Sequence, residues 1–192
     1  MDPNFILAFN HCMLYEIGPW FDPTDSDTIA GNTGTSLQNR KCGYTNIPGD
    51  HGGVTKYGIA QASNPSVNVP ALTLADAQQI YFNYYWTASH CDKITSGAVA
   101  IFQFDMVVNN GGGRAAKILQ QAAGVTVDGA VGPATLAAVN AIDPATLINS
   151  LSSIRATRYN LIVQNDPSQA EFLAGWLRRN SEVTSYALTQ LV

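Results

Sequence analysis

Glu16 stands in the stretch YEIGPWFDPTD (15–25), flanked by Tyr15, Trp20 and Phe21, and the other glutamates, Glu171 and Glu182, lie far downstream. A carboxyl group among apolar and aromatic neighbours holds its proton more tightly than one in water, because burial disfavours the charged form. A carboxyl so placed can serve as a proton donor near neutral pH, whereas an exposed glutamate at a helix end cannot. A second set of polar groups lies in GDHGGVTKYGIA (49–60), where Asp50, Thr55 and Tyr57 are spaced among Gly52, Gly53 and Gly58. Glycine admits backbone conformations that let a ligand or another strand approach closely. The plainer reading of the same residues is a glycine-rich turn capped by Asp50. His51 is a lone histidine in a turn and is read as solvated, as are His11 and His90. No pair among these histidines or Cys12, Cys42 and Cys91 has metal-ligand spacing, so neither a metal nor a cofactor is expected. The three cysteines are too few for a disulfide framework, leaving three thiols or one disulfide with one thiol over.

The elements that must hold these groups are mostly helices. Asp2-Pro3, Asp143-Pro144 and Asp166-Pro167 each precede a helix-like apolar pattern, with aspartate suited to the cap and proline to the first helical position. Phe5, Ile6, Phe9 and Met13 form the apolar stripe of a first helix ending near Tyr15. Thr73 and Asp76 predict a capping box opening a helix through LADAQQIYFNYYW. SGAVAIFQFDMVVNN is apolar all round and its length favours helix over strand, with Asp105 read as a hydrogen-bonded structural aspartate. GRAAKILQQAAG should end at Gly124 in a left-handed cap. GPATLAAVNAI and the segments after Asp143 and Asp166 complete a largely helical chain. Residues 22–70 differ: rich in Gly, Asn, Asp, Thr, Ser and Pro, they predict turns and two or three short strands, not helices. The fold class is therefore mostly α (α+β), with a small irregular or β region near residues 22–70.

The 192 residues are 46% hydrophobic and 12% charged, which suits a sizeable core and excludes a disordered chain. A net charge of −4 and no basic stripe argue against nucleic acid as a partner. Met-Asp-Pro-Asn has no cationic region before its short apolar run, so no signal peptide is expected. No run of about 18 apolar residues exists, and no membrane partner is expected. The expected place of synthesis is a cytoplasm.

The ordered motifs resemble glycoside hydrolase family 108, the muramidase endolysins. That family opens with a helix, then Glu-Gly-Gly-Tyr, Asn-Asp-Pro, and Asp-Pro-Gly-Gly-x-Thr-x-x-Gly-Ile. Here the corresponding residues read Glu16-Ile17-Gly18, then Phe21-Asp22-Pro23, then Asp50-His51-Gly52-Gly53-Val54-Thr55 and Gly58-Ile59. The likeness continues through IYFNYYW, CDKI, FQFDMVVNNGGGRAAKILQQAAGVTVDGAVGPATLAAV and FLAGWLRR. Two departures stand out: Ile17 and Pro19 replace a glycine-rich context, and an insertion occupies about residues 24–49. Added loop length costs little closure entropy, so the insertion is compatible with the fold.

The resemblance implies a lysozyme-like catalytic part over 1–113 and a peptidoglycan-binding-type helical half over 114–192, packed together as one unit. It implies a peptidoglycan hydrolase cutting the β-1,4 bond between N-acetylmuramic acid and N-acetylglucosamine. Glu16 would be the general acid, with Asp50 and Thr55 across the cleft orienting water or stabilising the oxocarbenium-like transition state. Tyr57, Asn109 and Asn110 are candidates for sugar binding, although NNGGG reads equally well as a tight turn between helices. The implied setting is a monomeric endolysin, made in a host cytoplasm and released to the periplasm and cell wall through a separate holin. The rival readings are a virion-associated lysozyme, a chitinase-like enzyme or lytic transglycosylase, and, from another class, a non-catalytic cell-wall-binding protein.

Overall fold

The structure is a computed structural model that describes residues 1–24 and 36–191. The chain forms two compact units, one of Met1–Ala8 with Tyr84–Val192 and the other of Phe9–Asn83. Helix α1 (Pro3–Glu16) passes from the first unit into the second.

The first unit is all helical. Its α4 (Gly97–Asn110) is buried at every position from Ala98 to Val107, which is why no amphipathic period could be read from it. Ser96 caps its start by accepting the Val99 N–H at 3.5 Å. Around α4 pack α5 (Gly112–Ala123), α7 (Pro144–Asn165) and α8 (Ala170–Thr189), with α6 (Pro133–Ala141) against α5. The start signals act as expected: Asp143 Oδ1 accepts the Thr146 N–H at 2.9 Å, and Asp166 Oδ1 accepts the Ser168 N–H at 3.1 Å in the short turn before α8. Gly124 ends α5 in the left-handed conformation, with φ of +68°. Phe5, Trp86 and Phe104 meet edge-on or tilted, with ring centroids 5.7 to 5.8 Å apart.

One polar network crosses this core. Asp105 on α4 accepts Arg155 at 2.7 Å through one oxygen, and Arg179 at 2.8 and 2.9 Å through the other. Burial alone would raise the Asp105 carboxyl, but the two guanidinium groups outweigh it and hold it below the usual carboxylate range. A structural aspartate, not a second catalytic carboxylate, is what this pairing describes. The helices assigned to 114–192 thus pack on α4 of the segment before them, within one unit, and the 113/114 boundary falls between two packed helices.

The second unit holds the end of α1, α2 (Ser36–Cys42), a hairpin of β1 (Thr55–Lys56) and β2 (Ile59–Ala60), and α3 (Leu74–Tyr81). Thr73 and Asp76 form the expected capping box, Thr73 Oγ1 accepting the Asp76 N–H at 3.1 Å while Asp76 accepts the Thr73 N–H at 2.9 Å. Past α3 the chain continues as a π-helical turn over Phe82–Thr87. One expectation needs correction: α2 is a helix in a region read as turns and strands only. It belongs to the 24–49 insertion, of which residues 25–35 lie outside the described residues. Among the described residues no helix is long and apolar enough to cross a membrane.

Candidate active site

Glu16 is the last residue of α1 and is half-buried. The N–H of Ile17 donates to the Met13 carbonyl at 2.9 Å and that of Gly18 to the same carbonyl at 3.3 Å, so the helix closes directly behind it. Gly18 then turns the chain with φ of +100° into Pro19 and Trp20. The hairpin meets this helix end. Its two turn residues, Tyr57 and Gly58, both have positive φ, +53° and +72°, the pattern of a tight hairpin turn whose twist suits the strands. A Cβ built on Gly58 would stand 2.8 Å from the Tyr81 hydroxyl, 3.3 Å from Glu16 Cβ and 3.6 Å from Glu16 Oε2. Glu16 therefore lies over the bare backbone of the hairpin turn, beside the Tyr81 hydroxyl. That hydroxyl donates to the Tyr57 carbonyl at 3.1 Å and so holds α3 to the turn.

Thr55 opens β1 and is half-buried, pairing with Ala60 across the hairpin and with Thr45 on its other side. Its N–H donates to the Thr45 carbonyl at 3.0 Å, and the Thr45 N–H returns at 2.9 Å. Asp50 is exposed on the turn before β1, where its Oδ1 accepts the Gly52 N–H at 2.9 Å. The capping role is thus real, and it leaves the second carboxylate oxygen for other work. Tyr57 is 1% exposed, so its ring is not offered to a sugar as the sequence reading expected; it fills the unit's core. The bulky side chain tolerates the left-handed backbone because burial and the 2.7 Å bond from its N–H to the Cys42 carbonyl hold it there. Asn109 and Asn110 lie in the other unit at the end of α4. The Asn109 Oδ1 accepts Tyr159 at 2.8 Å and Arg155 at 3.0 Å, and the Asn110 amide donates to the Tyr159 hydroxyl at 3.2 Å. Both extend the Asp105 network, which gives them a structural task of their own.

The insertion supplies the neighbours of Trp20. The Arg40 guanidinium of α2 sits 5.5 Å from the centre of the Trp20 ring, which is 52% exposed, and Lys41 reaches Asp22 at 3.8 Å. Gly43, at φ of +61°, lies against Ile17, with 3.1 Å between a built Cβ and Ile17 Cγ1. Beneath the hairpin, Lys56 is buried and donates to the Pro70 carbonyl at 3.3 Å; desolvation pushes its ammonium down from the ordinary lysine range. Tyr81 and Arg40 carry no signal of a site in the sequence, whereas Gly58 is among the glycines read there as permitting close approach. Cys12, Cys42 and Cys91 are buried thiols without a disulfide, and burial pushes the Cys91 thiol far above its ordinary value, which rules it out as a ready nucleophile. Among the described residues no three His, Cys, Asp or Glu side chains gather as metal ligands do.

Known proteins resemble this chain in sequence and in fold. The family model described as Glycosyl hydrolase 108 matches residues 35–111, a span that includes Asp50, Thr55 and Gly58 and begins after Glu16. A second, Predicted Peptidoglycan domain, matches residues 114–181. No curated protein matches the chain. Among solved structures, that of Brucella abortus SagA is 32% identical over 76% of this chain and 86% of its own, with a TM-score of 0.62. With a hairpin and helix end set around one half-buried glutamate, and with these matches in order along the sequence, the chain belongs to glycosyl hydrolase family 108 as a lysozyme-type glycoside hydrolase.

Proposed function

We propose that this protein is a muramidase, hydrolysing the β-1,4 bond between N-acetylmuramic acid and N-acetylglucosamine in peptidoglycan. The observation that carries the reading is the seat of Glu16, a half-buried carboxyl closing α1 and lying over Gly58 at the hairpin turn. Glycoside hydrolysis needs a carboxylic acid to protonate the leaving oxygen while charge develops on the sugar ring. Glu16 takes that role. Asp50, whose turn leaves one oxygen uncommitted, and Thr55, at the start of β1, orient the attacking water or steady the developing charge. The presence of a peptidoglycan-type domain in the same chain supports peptidoglycan as the substrate. The setting we favour is an endolysin that reaches the cell wall by a separate release step.

Soluble products from purified peptidoglycan test this by mass spectrometry. Reducing-end N-acetylmuramic acid is expected. Anhydro-muramic ends would make the protein a lytic transglycosylase, and reducing-end N-acetylglucosamine would move the cut to the other glycosidic bond. No soluble product would favour a cell-wall-binding protein without catalysis.

A further inference from the structure

Three of the chain's ten Lys and Arg residues line one groove, and none of its fourteen Asp and Glu residues does. The groove lies within the first unit, between α5 and α7, and encloses about 370 Å³. That volume falls within the range of roughly 300–1,000 Å³ common for small-molecule sites. Arg114 and Lys117 reach it from one face of α5, and Arg158 reaches it from α7. Ile118 and Ile154 supply apolar surface, the exposed Leu161 extends it, and Ser153 and Thr157 add hydroxyl groups.

On an ordinary solvated helix face, cations are interleaved with acids at helical spacing. Here neither α5 nor α7 contains any Asp or Glu. Arg155 on α7 obtains a counter-charge from α4 instead, pairing with Asp105 at 2.7 Å. Arg158, three residues on, is half-buried and has Arg114 near it in place of a carboxylate. Desolvation, and then the like charge of Arg114, pushes its guanidinium down from the ordinary arginine range. Among the described residues, no side chain of Arg114, Lys117 or Arg158 is held in an ion pair or hydrogen bond. Lys117 is nevertheless seated, its stem lying along Gly129, where a built Cβ would stand 3.1 Å from Lys117 Cε. Like charges crowded without a counter-charge destabilise the fold, and a bound anion would offset that.

We propose that this groove binds a short acidic peptide, with its carboxylates on Arg114, Lys117 and Arg158 and its small apolar side chains on Ile118, Ile154 and Leu161. A guanidinium holds a carboxylate through two parallel N–H donors, and the ammonium adds a point charge. The Ser153 and Thr157 hydroxyls can donate to peptide carbonyls and accept from peptide N–H groups. The apolar surface favours a carboxylate on a carbon chain over a bare phosphate, which has none to bury. The cluster is too short for nucleic acid, which needs a basic stripe. In peptidoglycan the acidic peptide is the stem carried on the muramic acid, so this choice of source rests on the peptidoglycan reading above. The peptidoglycan-type match over 114–181 contains every residue of the groove. The groove would hold the substrate by its peptide and takes no part in breaking a bond.

The test titrates full-length, isotope-labelled protein by NMR with a synthetic N-acetylated stem peptide, L-alanyl-γ-D-glutamyl-meso-diaminopimelyl-D-alanine, which has no glycosidic bond. Parallel titrations use the same peptide with its carboxyl groups amidated, and glycerol 3-phosphate as a phosphate-bearing anion. Saturable shifts of the Lys117, Ile118, Thr157 and Arg158 backbone amides are expected with the acidic peptide alone, weakening as salt is raised. Arg158→Gln and Arg114→Gln should each weaken binding about tenfold or more. Both should melt no lower than the parent, since each relieves a pair of like charges. Lys117→Gln, at an exposed position, should weaken binding as well and carries the test if an arginine variant does not fold. No saturable binding, equal binding of the amidated peptide, preference for glycerol 3-phosphate, or unchanged affinity in all three variants would overturn the site. A protein that binds the peptide yet leaves peptidoglycan undigested would sink the muramidase reading and spare the groove. One that digests peptidoglycan but does not bind the peptide would do the opposite.

Discussion

Replacing Gly58 with alanine puts the seat of Glu16 under direct strain. The backbone at Gly58 has φ of +72°, which costs an L-residue about 1–2 kcal/mol. The new methyl would stand 2.8 Å from the Tyr81 hydroxyl, closer than real contacts allow, so Tyr81 must move and its 3.1 Å bond to the Tyr57 carbonyl is put at risk. That bond is worth about 1 kcal/mol, giving a total loss of about 2–3 kcal/mol. The methyl would also press on Glu16, at 3.3 Å from Cβ and 3.6 Å from Oε2. A displacement of a few tenths of an ångström at a proton donor should lower the rate about tenfold, since a misplacement of about 1 Å can cost about 10²-fold. Gly124→Ala is the control, for Gly124 has φ of +68° with nothing within 4 Å of a built Cβ and lies in the other unit. It should lose the left-handed term alone and keep the full rate. Thermal melting and the fall in turbidity of a peptidoglycan suspension read the two quantities. A folded Gly58→Ala protein with the parental rate would refute the idea that this close fit holds the acid.

Asp50→Asn keeps the oxygen that accepts the Gly52 N–H, so the melting temperature should stay nearly unchanged while lysis falls at least tenfold; a folded, fully active variant would remove Asp50 from the chemistry. Asp105→Asn leaves Arg155 and Arg179 without their counter-charge and should cost about 3–5 kcal/mol by chemical denaturation. The Asp105 carboxyl is held below its unfolded value, so its stabilising effect is complete above the usual carboxylate range and is lost as pH falls through its depressed value; acid unfolding of the parent but not of Asp105→Asn should show this loss. A chain ending at Gly113 loses α5, α7 and α8, which cover α4, and should be insoluble or molten; a fragment that unfolds cooperatively and lyses would count against one packed unit.

Much of the helical frame could be read from local chemistry. The Thr73–Asp76 box, the Asp-Pro starts and the Gly124 stop are short-range hydrogen-bond patterns that depend on few neighbours. Helix α2 could not be read, because SLQNRKC has no apolar period and stands on tertiary contacts: Arg40 over Trp20, Lys41 to Asp22, and the Cys42 carbonyl to Tyr57. Tyr57 illustrates the same limit from the other side. A glycine-rich turn was evident, but nothing local says that a tyrosine takes a left-handed turn position and buries its ring. Asn109 and Asn110 looked like a loop's amides, yet their partners Arg155 and Tyr159 lie far along the chain. The glutamate at the end of α1 and the hairpin that meets it were legible as separate motifs; the contact through Gly58 required the fold.

The rate of peptidoglycan solubilisation by Glu16→Gln tests the central claim most directly. Glutamine keeps the size and hydrogen-bonding shape of the side chain but has no proton to deliver. The account predicts a fold and melting temperature like the parent's and a rate lower by about 10²- to 10⁴-fold, the contribution of a general acid. A folded Glu16→Gln protein that retains a tenth or more of the parental rate would contradict it.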